Sequence, residues 1–534
     1  MKNKTKRYKR FNANLDYKNY DHIIIGSGIG GLTAATWLAK AGKKVLILEQ
    51  HYLPGGFTHV FKRKGNFKWD VGVHYVGNMA KNSPLKRLFD FISDSKIKWD
   101  PIGEVYDVVH LKNKIYQFKK GEEKFKSQLF KYFPNEKQAI IKYLELIKKS
   151  KKRDNLFFLE KFFEPILNKL IGKVFINRFN KYSNQTTYEV LNNITANKDL
   201  ISVLCAQAGN YGLPPKESSF SAHALIVNHF MEGGYYPNGG ANQISDKIIE
   251  TLYKHKAELY INAKVSEIII KENKVQGVKV QNKFIKCKSV ISNVGVNNTF
   301  NHLISSKNAK NIEKNIRNLQ PSIGHMCLYV GLDKSDRDLK LPKHNIWYFK
   351  EKNYDQIFQS KSLEEAAKNF AYISFPSAKD NAWKNSHMNK STIQLISLAH
   401  YKWFKIFKND KYGKRSPDYY KLKENYKNIM LNNLYQLFPQ IQGHVVITEV
   451  STPLSTKHFS NYQSGEIYGV AHTPEKFKSK FLRPKTKIKG LFLTGQDITI
   501  VGIAGAMLSG MLTAITILKY RVILIFLKIA KIKP

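Results

Sequence analysis

Residues 21–25 form an apolar run that leads without a break into Gly26-Ser27-Gly28-Ile29-Gly30-Gly31, and a second run, Val45–Leu48, ends at Glu49. Between them, residues 29–41 are rich in small side chains at helical spacing. Strand, helix and strand thus follow one another within about 30 residues, which is a βαβ unit. Gly26, Gly28 and Gly31 satisfy the G-x-G-x-x-G pattern, with Ser27 and Gly30 completing the turn. The first glycine allows the tight turn, the second lets the backbone approach a pyrophosphate, and the third lets the helix pack on the strand. The pyrophosphate then sits at the positive end of the helix dipole. Glu49 follows Gly31 by 18 residues. A carboxylate near that spacing accepts a ribose hydroxyl and repels a 2′-phosphate, so the site is read as one for FAD or NAD rather than NADP.

The rest of the chain has to be arranged around this unit. Strand-like runs recur at 257–261, 265–270, 275–280, 289–292, 326–330, 393–398 and 445–450, and helical spacing at 245–255 and 418–437. Residues 119–183 are rich in Lys, Phe and Leu at helical spacing and read as a helical insertion. The pattern predicts an α/β fold with a second, α+β region inserted between parts of the first. Residues 498–518 carry no charge over 21 positions, long enough to span a bilayer. Gly502, Gly505 and Gly510 interrupt the run, which favours a buried helix in close backbone contact instead.

The formal net charge of +46 suggests nucleic acid, but its makeup does not: 76 of the cations are Lys and only 11 are Arg, and they are spread along the whole chain. Arg is the residue suited to bidentate phosphate and base contacts. The excess is read as compositional, with attraction to anionic lipid as its functional remainder. Cys205, Cys287 and Cys327 are widely spaced and form no C-x-x-C, which excludes a disulfide framework, a zinc site or an iron–sulfur cluster and fits a reducing compartment. His223 and His229, six apart, do not share a helix face and are not a metal pair. Residues 1–19 are basic and polar with no apolar core before the first strand, so they read as a solvated arm and not a secretory signal.

Several blocks taken together resemble the phytoene desaturase and carotenoid isomerase superfamily of flavoproteins, most of all its retinol saturase branch. They are Glu49-Gln50-His51, Gly55-Gly56, His59 with Phe61, and residues 70–77, Asp-Val-Gly-Val-His-Tyr-Val-Gly. The segment Gly209-Asn210-Tyr211-Gly212-Leu213-Pro214-Pro215 and residues 233–240 resemble the central block. Gly465-Glu466-Ile467-Tyr468-Gly469 resembles a late block, and Thr494-Gly495-Gln496-Asp497 with Gly502 and Gly505 resembles the closing flavin motif. The resemblance implies a Rossmann-like FAD-binding domain (21–80, 233–300 and 485–518) and an inserted α+β substrate-binding domain (81–232 and 301–484). A basic arm (1–20) and a basic apolar tail (519–534) flank them.

It also implies noncovalent FAD. Gly26, Gly28, Gly31 and Glu49 would hold its ADP half, Val265 the adenine through its backbone, and Asp497 the ribityl chain or pyrophosphate. Gly55, Gly56 and the backbone at Gly502–Gly505 would lie against the flavin ring. The implied substrate is an apolar polyene or isoprenoid lipid, with reduction of a carbon–carbon double bond expected and desaturation or cis–trans isomerisation as alternatives. Reduction needs a hydride at one carbon and a proton at the other; the hydride chemistry belongs to the cofactor. His74 and Tyr75 are the candidates for the polar or acid group, followed by Tyr211 and Tyr468. One departure stands out: retinol saturases often show cysteines just after the Gly-Gly pair, where this chain has Phe57 and Thr58. No second G-x-G-x-x-G announces a site for NAD(P)H or another redox partner. An amine oxidase of the same broad fold and a non-enzymatic isoprenoid carrier are the rival readings.

Two basic apolar segments would reach lipid: a stripe at 156–171 flanked by Lys161, Lys169 and Lys173, and the tail around 522–527. The expectation is a cytoplasmic protein peripherally associated with a membrane, not secreted, and with no nucleic-acid partner.

Overall fold

The computed structural model describes residues 8–17, 19–162, 181–305, 316 and 319–519. Among them two large sheets stand out. In the first, Tyr20–Ile25 and Val45–Leu48 lie side by side and parallel, flanked by Glu258–Ile261 and Lys283–Ser292. Leu491–Leu493 pairs in parallel with the end of Lys283–Ser292, so the start and end of the chain meet in this sheet. The hairpins Val265–Lys271, Lys274–Val280 and Lys283–Ser292 extend it antiparallel. The central strands are buried on both faces, which is why they read as unbroken apolar runs. Lys283–Ser292 begins earlier than the sequence run did. Its first half alternates, with Ile285 and Cys287 buried and Lys286 and Lys288 exposed, so only its second half was a solid apolar block.

The second sheet runs in the order Val445–Ser451, Gly324–Leu332, Ser391–Ala399, Phe370–Ser374, Asn345–Phe349, Val105–Leu111 and Lys114–Lys119. Gly324–Leu332 is wholly buried. The helix Glu122–Tyr132 packs beside this sheet's outer strand Lys114–Lys119, and Lys137–Phe162 packs on that helix and against Phe220–Phe230.

The uncharged stretch near the C-terminus forms the helix Gly502–Leu518, which lies along the helix Ile29–Lys40. Among the described residues no helix is long and apolar enough to cross a membrane. The small residues of this closing helix have specific partners. Ser509 Oγ accepts the Gly495 N–H at 3.0 Å, and Thr513 Oγ1 donates to the Leu493 carbonyl at 2.9 Å. A Cβ at Gly510 would fall 2.3 Å from the Gly30 carbonyl oxygen.

Two expectations are corrected here. Residues 8–11 are not part of a solvated arm. Lys9–Arg10 add a parallel edge strand to Glu258–Ile261, Phe11 stacks on Tyr17 at 5.0 Å, and Tyr8 Oη donates to Asp246 at 2.6 Å. Two aromatic residues flanking the cations give this stretch the apolar burial that its polar composition concealed. In the apolar stripe, Phe157 is buried with its ring 5.5 Å from Phe477, and Lys161 is buried with its ammonium 4.5 Å above the Phe157 ring. That part of the stripe faces protein; residues 163–180 and 520–534, which hold the rest of the stripe and nearly all of the tail, lie outside the described residues.

Helix propensity alone makes Gly510→Ala stabilising by about 1 kcal/mol. The Gly30 contact predicts the opposite sign, a loss of about 1–3 kcal/mol from overpacking. Urea unfolding of the two proteins decides between them.

Candidate active site

The C-terminal ends of the parallel strands converge on one edge of the first sheet, where dinucleotides bind in open α/β sheets. Gly26 turns there with φ +90° and donates its N–H to the Leu48 carbonyl at 2.9 Å. A Cβ at Gly31 would lie 2.4 Å from the Gly26 carbonyl, so its absence sets how closely the helix Ile29–Lys40 approaches the strand. Glu49 Oε2 accepts both the Ser27 N–H at 2.8 Å and the Ser27 hydroxyl at 2.5 Å, while Glu49 Oε1 accepts the His51 N–H at 2.8 Å. Ser27 Oγ accepts the Gly55 N–H at 3.0 Å. Ser27 therefore ties the glycine turn, the acidic residue and the Gly-Gly loop into one knot. Gly56 approaches so closely that a Cβ there would sit 3.0 Å from Gly28 Cα.

Asp497 closes the site from the other end of the chain. Its Oδ2 accepts the Val296 N–H at 2.8 Å and its Oδ1 the Val470 N–H at 2.9 Å. Its carboxylate is thus engaged with the chain's own backbone. Asn293, which the sequence did not flag, fills the gap between the glycines. Cβ atoms at Gly28 and Gly30 would meet its side-chain amide at 2.9 and 2.8 Å, and Gly495 approaches the same group. The available signal was its place directly after the strand Lys283–Ser292, on the ligand edge of the sheet. Gln50 bridges to the late segment: Nε2 donates to the Phe459 carbonyl at 2.9 Å, and Oε1 accepts from Asn461 Nδ2 at 2.6 Å.

These residues border a cavity of about 820 Å³. Gly26, Gly28, Gly30, Glu49, Gln50, Gly55, Gly56, Val265, Asn293, Gly495, Asp497 and Gly502 line one end. The second sheet adds an apolar wall to the same cavity, made of Tyr329, Trp347, Phe370, Tyr372, Ile396 and Leu398 with Ile323 just before it, and His74 and Tyr468 line the cavity as well. Ser27, Gly31 and Gly505 stand behind this lining and shape it: a Cβ at Gly505 would lie 2.0 Å from the Ile500 carbonyl. Bare glycine backbone at a helix N-terminus, a carboxylate with lone pairs left for hydroxyls and a long cavity with an apolar far end fit a flavin dinucleotide.

The four candidate acid groups divide. His74 and Tyr468 line the cavity; Tyr75 and Tyr211 do not. Successive residues of an extended segment point to opposite sides, so Tyr75 turns away from the wall that His74 forms. Tyr75 stacks on Phe230 at 4.0 Å, donates its hydroxyl to Asp107 at 3.0 Å and accepts from Asn210 Nδ2 at 3.1 Å. Tyr211 is fully buried with its hydroxyl 3.3 Å from His223 Nδ1.

Behind His74 lies a buried polar layer that the sequence did not show. Lys379 Nζ donates to the His74 carbonyl at 3.1 Å, to Ser374 Oγ at 2.8 Å and to Asn345 Oδ1. Asn345 Nδ2 donates to Asp107 Oδ1 at 3.0 Å, and Gln207 Nε2 to Asp107 Oδ2 at 2.8 Å. Burial pushes the Lys379 ammonium down to about 7 and the Asp107 carboxyl up to about 6. Burial, with Lys379 nearby, holds the His74 imidazole near 3, and burial holds His325 on the facing strand near 4, so both cavity-lining rings are neutral at neutral pH. Burial raises the Tyr468 hydroxyl well above its ordinary value, so it keeps its proton.

Comparison with known proteins supplies the family. The family model for flavin-containing amine oxidoreductases matches residues 29–518. An all-trans-retinol 13,14-reductase of Danio rerio is 36% identical over 96% of this chain and 88% of its own length. A second Danio rerio relative, named an inactive all-trans-retinol 13,14-reductase, is 32% identical over 96% of this chain and 87% of its own. A chloroplastic prolycopene isomerase of Daucus carota is 26% identical over 92% of this chain and 79% of its own. Among solved structures, an oxidoreductase from Methanosarcina mazei superposes with a TM-score of 0.61 at 16% identity, covering 92% of this chain and 99% of its own. That likeness speaks for the fold, and it agrees with the two-sheet architecture. With its closing helix and chamber inside the matched span and its glycine turn leading directly into it, the chain belongs to the flavin-containing amine oxidoreductases and is an FAD-dependent oxidoreductase related to the all-trans-retinol 13,14-reductases.

Proposed function

We propose that this enzyme reduces a carbon–carbon double bond of a retinoid-, carotenoid- or other isoprenoid-like lipid. The observation that carries this reading is the continuity of the cavity: the dinucleotide cradle opens directly into a chamber of aromatic and aliphatic side chains. Such a chamber takes an apolar chain by burial of its surface and keeps water from the reacting carbons. The identity to the Danio rerio reductase supports the same substrate class.

In this reading Glu49 and the turn at Gly26, Gly28 and Gly30 hold the ADP half of FAD, with Val265 beside the adenine. Gly55, Gly56, Gly495 and Gly502 give backbone contact with the flavin. When bound, FAD supplies the hydride. Asp497 acts as a positioning residue: it holds the Val296 and Val470 amides, and through them the loops that flank the flavin site. Tyr468 is assigned as the proton donor through Oη, because it lines the cavity and retains its proton. His74 acts as a neutral polar wall group, since an imidazole held near 3 carries no imidazolium proton at neutral pH.

Desaturation and cis–trans isomerisation are the second reading, favoured by the identity to the Daucus carota isomerase and by Phe57 and Thr58 after the Gly-Gly pair. The electron donor, NAD(P)H or another partner, has no announced site. The enzyme is proposed to work at a membrane surface, where such a lipid resides.

Four outcomes test these assignments. Purified protein should show flavin absorbance that moves wholly to the supernatant on denaturation; bands that stay with the polypeptide would contradict noncovalent FAD. Incubation with a reductant and a retinoid or carotenoid should give a product heavier by two hydrogens. A product of unchanged mass would replace reduction with isomerisation, and a product lighter by two, formed when an electron acceptor takes the place of the reductant, would replace it with desaturation. Tyr468→Phe should lower turnover by about 10²–10⁴-fold with flavin retained, as expected for loss of a general acid. Tyr211→Phe, which removes a hydroxyl outside the cavity, should cost about 1 kcal/mol of stability and change turnover little.

A further inference from the structure

Residues 401–415, Tyr-Lys-Trp-Phe-Lys-Ile-Phe-Lys-Asn-Asp-Lys-Tyr-Gly-Lys-Arg, have no part in the chemistry above, yet they are built in an unusual way. Tyr401–Phe407 is a tight turn of helix anchored by two buried rings, Phe404 and Phe407. Between those anchors Ile406 is turned outward and is 79% exposed. Lys402, Lys405, Lys408, Lys411 and Lys414 are all exposed around it, and Asp410 is the one acid in the segment. An isoleucine held in water by its neighbours' anchoring, in a segment with five exposed lysines, is an arrangement that water alone does not favour.

The segment also borders the cavity mouth. Tyr412 lines the cavity and is 44% exposed; Tyr52, also lining, is 51% exposed, so the cavity reaches the surface there. Aromatic contacts join the two: Tyr412 lies 5.2 Å from Phe459, Phe459 5.1 Å from His51, and His51 4.2 Å from Tyr52. Lys457 Nζ donates to Tyr401 Oη at 3.0 Å, fixing the turn to the helix Pro453–Ser460, part of which lines the cavity. The charge is matched to an anionic surface, the isoleucine to its apolar interior, and half-exposed tyrosines to the boundary between them.

We infer that residues 401–415 are the face that seats on an anionic phospholipid bilayer and opens the cavity between Tyr52 and Tyr412 toward the lipid. The inference rests on the reading of the substrate as a membrane lipid. It places docking beside the substrate entrance and not on the C-terminal tail.

The test is sedimentation of the full-length flavoprotein with phosphatidylcholine vesicles, with and without phosphatidylserine. Native protein should pellet with the anionic vesicles and release as salt rises. The triple variant Lys402→Glu, Lys405→Glu, Lys408→Glu should partition at least about 100-fold more weakly. Ile406→Ser should partition about tenfold more weakly. Both should keep their flavin, their thermal midpoint and their rate on detergent-dispersed polyene, and lose rate on vesicle-borne polyene in step with partitioning. Deletion of residues 520–534 should leave most of the binding. Undiminished pelleting of the triple variant, or binding lost on tail deletion alone, overturns the inference. So does native protein that ignores anionic vesicles; an acidic protein partner would then be the occupant to seek. Intact vesicle binding without turnover of any polyene would instead count against the substrate reading and leave the docking face standing.

Discussion

The Glu49 carboxylate takes three hydrogen bonds, from the Ser27 N–H, the Ser27 hydroxyl and the His51 N–H, and Ser27 Oγ receives the Gly55 amide. Through this knot the glycine turn, the end of the second strand and the Gly-Gly loop hold one geometry. Hydrogen bonds to an ionised carboxylate are about twice as strong as neutral ones, and here the acceptor is nearly enclosed. Asp497 does the same work 448 positions later in the chain, gripping the Val296 and Val470 amides. The two carboxylates fix loops that line the cavity, and the closing helix packs on the helix Ile29–Lys40 where Gly510 meets Gly30.

The far end of the cavity follows a different rule. Its groups are kept neutral by burial: His74, His325 and Tyr468 present polar atoms without charge. Lys379 and Asp107 stand one layer back: Lys379 donates to a carbonyl, a hydroxyl and an amide oxygen, and Asp107 accepts from two amides and the Tyr75 hydroxyl. A polar layer of this kind holds only while fully satisfied, because an unmade bond to a buried charge costs several kcal/mol. His74, His325 and Tyr468 therefore face an apolar chain without charge, while Lys379 ties the His74 segment to the second sheet.

Much of this was legible in the sequence where the signal is local. The glycine turn, Glu49 and the closing motif are short patterns whose spacing carries their geometry, and the strands of the first sheet read directly because both their faces are buried. What failed to read depends on which way a side chain turns or on what lies far off in the chain. Tyr75 and Tyr211 belong to suggestive blocks, but one points across the strand to Asp107 and the other into a core beside His223. Asn293 and Lys379 are single residues in bland contexts, given meaning only by Gly28, Gly30 and His74 arriving from elsewhere. Tyr8 and Phe11 were hidden among cations, and the cationic segment at the cavity mouth was hidden in a chain with lysine everywhere.

The central claim is that one cavity holds flavin and polyene together so that electrons pass directly between them. The most direct measurement is a single turnover without oxygen: the flavoprotein is reduced, separated from excess reductant and mixed with a retinoid such as all-trans-retinol. The account predicts that oxidised flavin absorbance returns as the polyene band shifts to shorter wavelength, one flavin for each double bond lost. Flavin that stays reduced while retinoids and carotenoids remain unchanged, in protein shown to bind them, would contradict it.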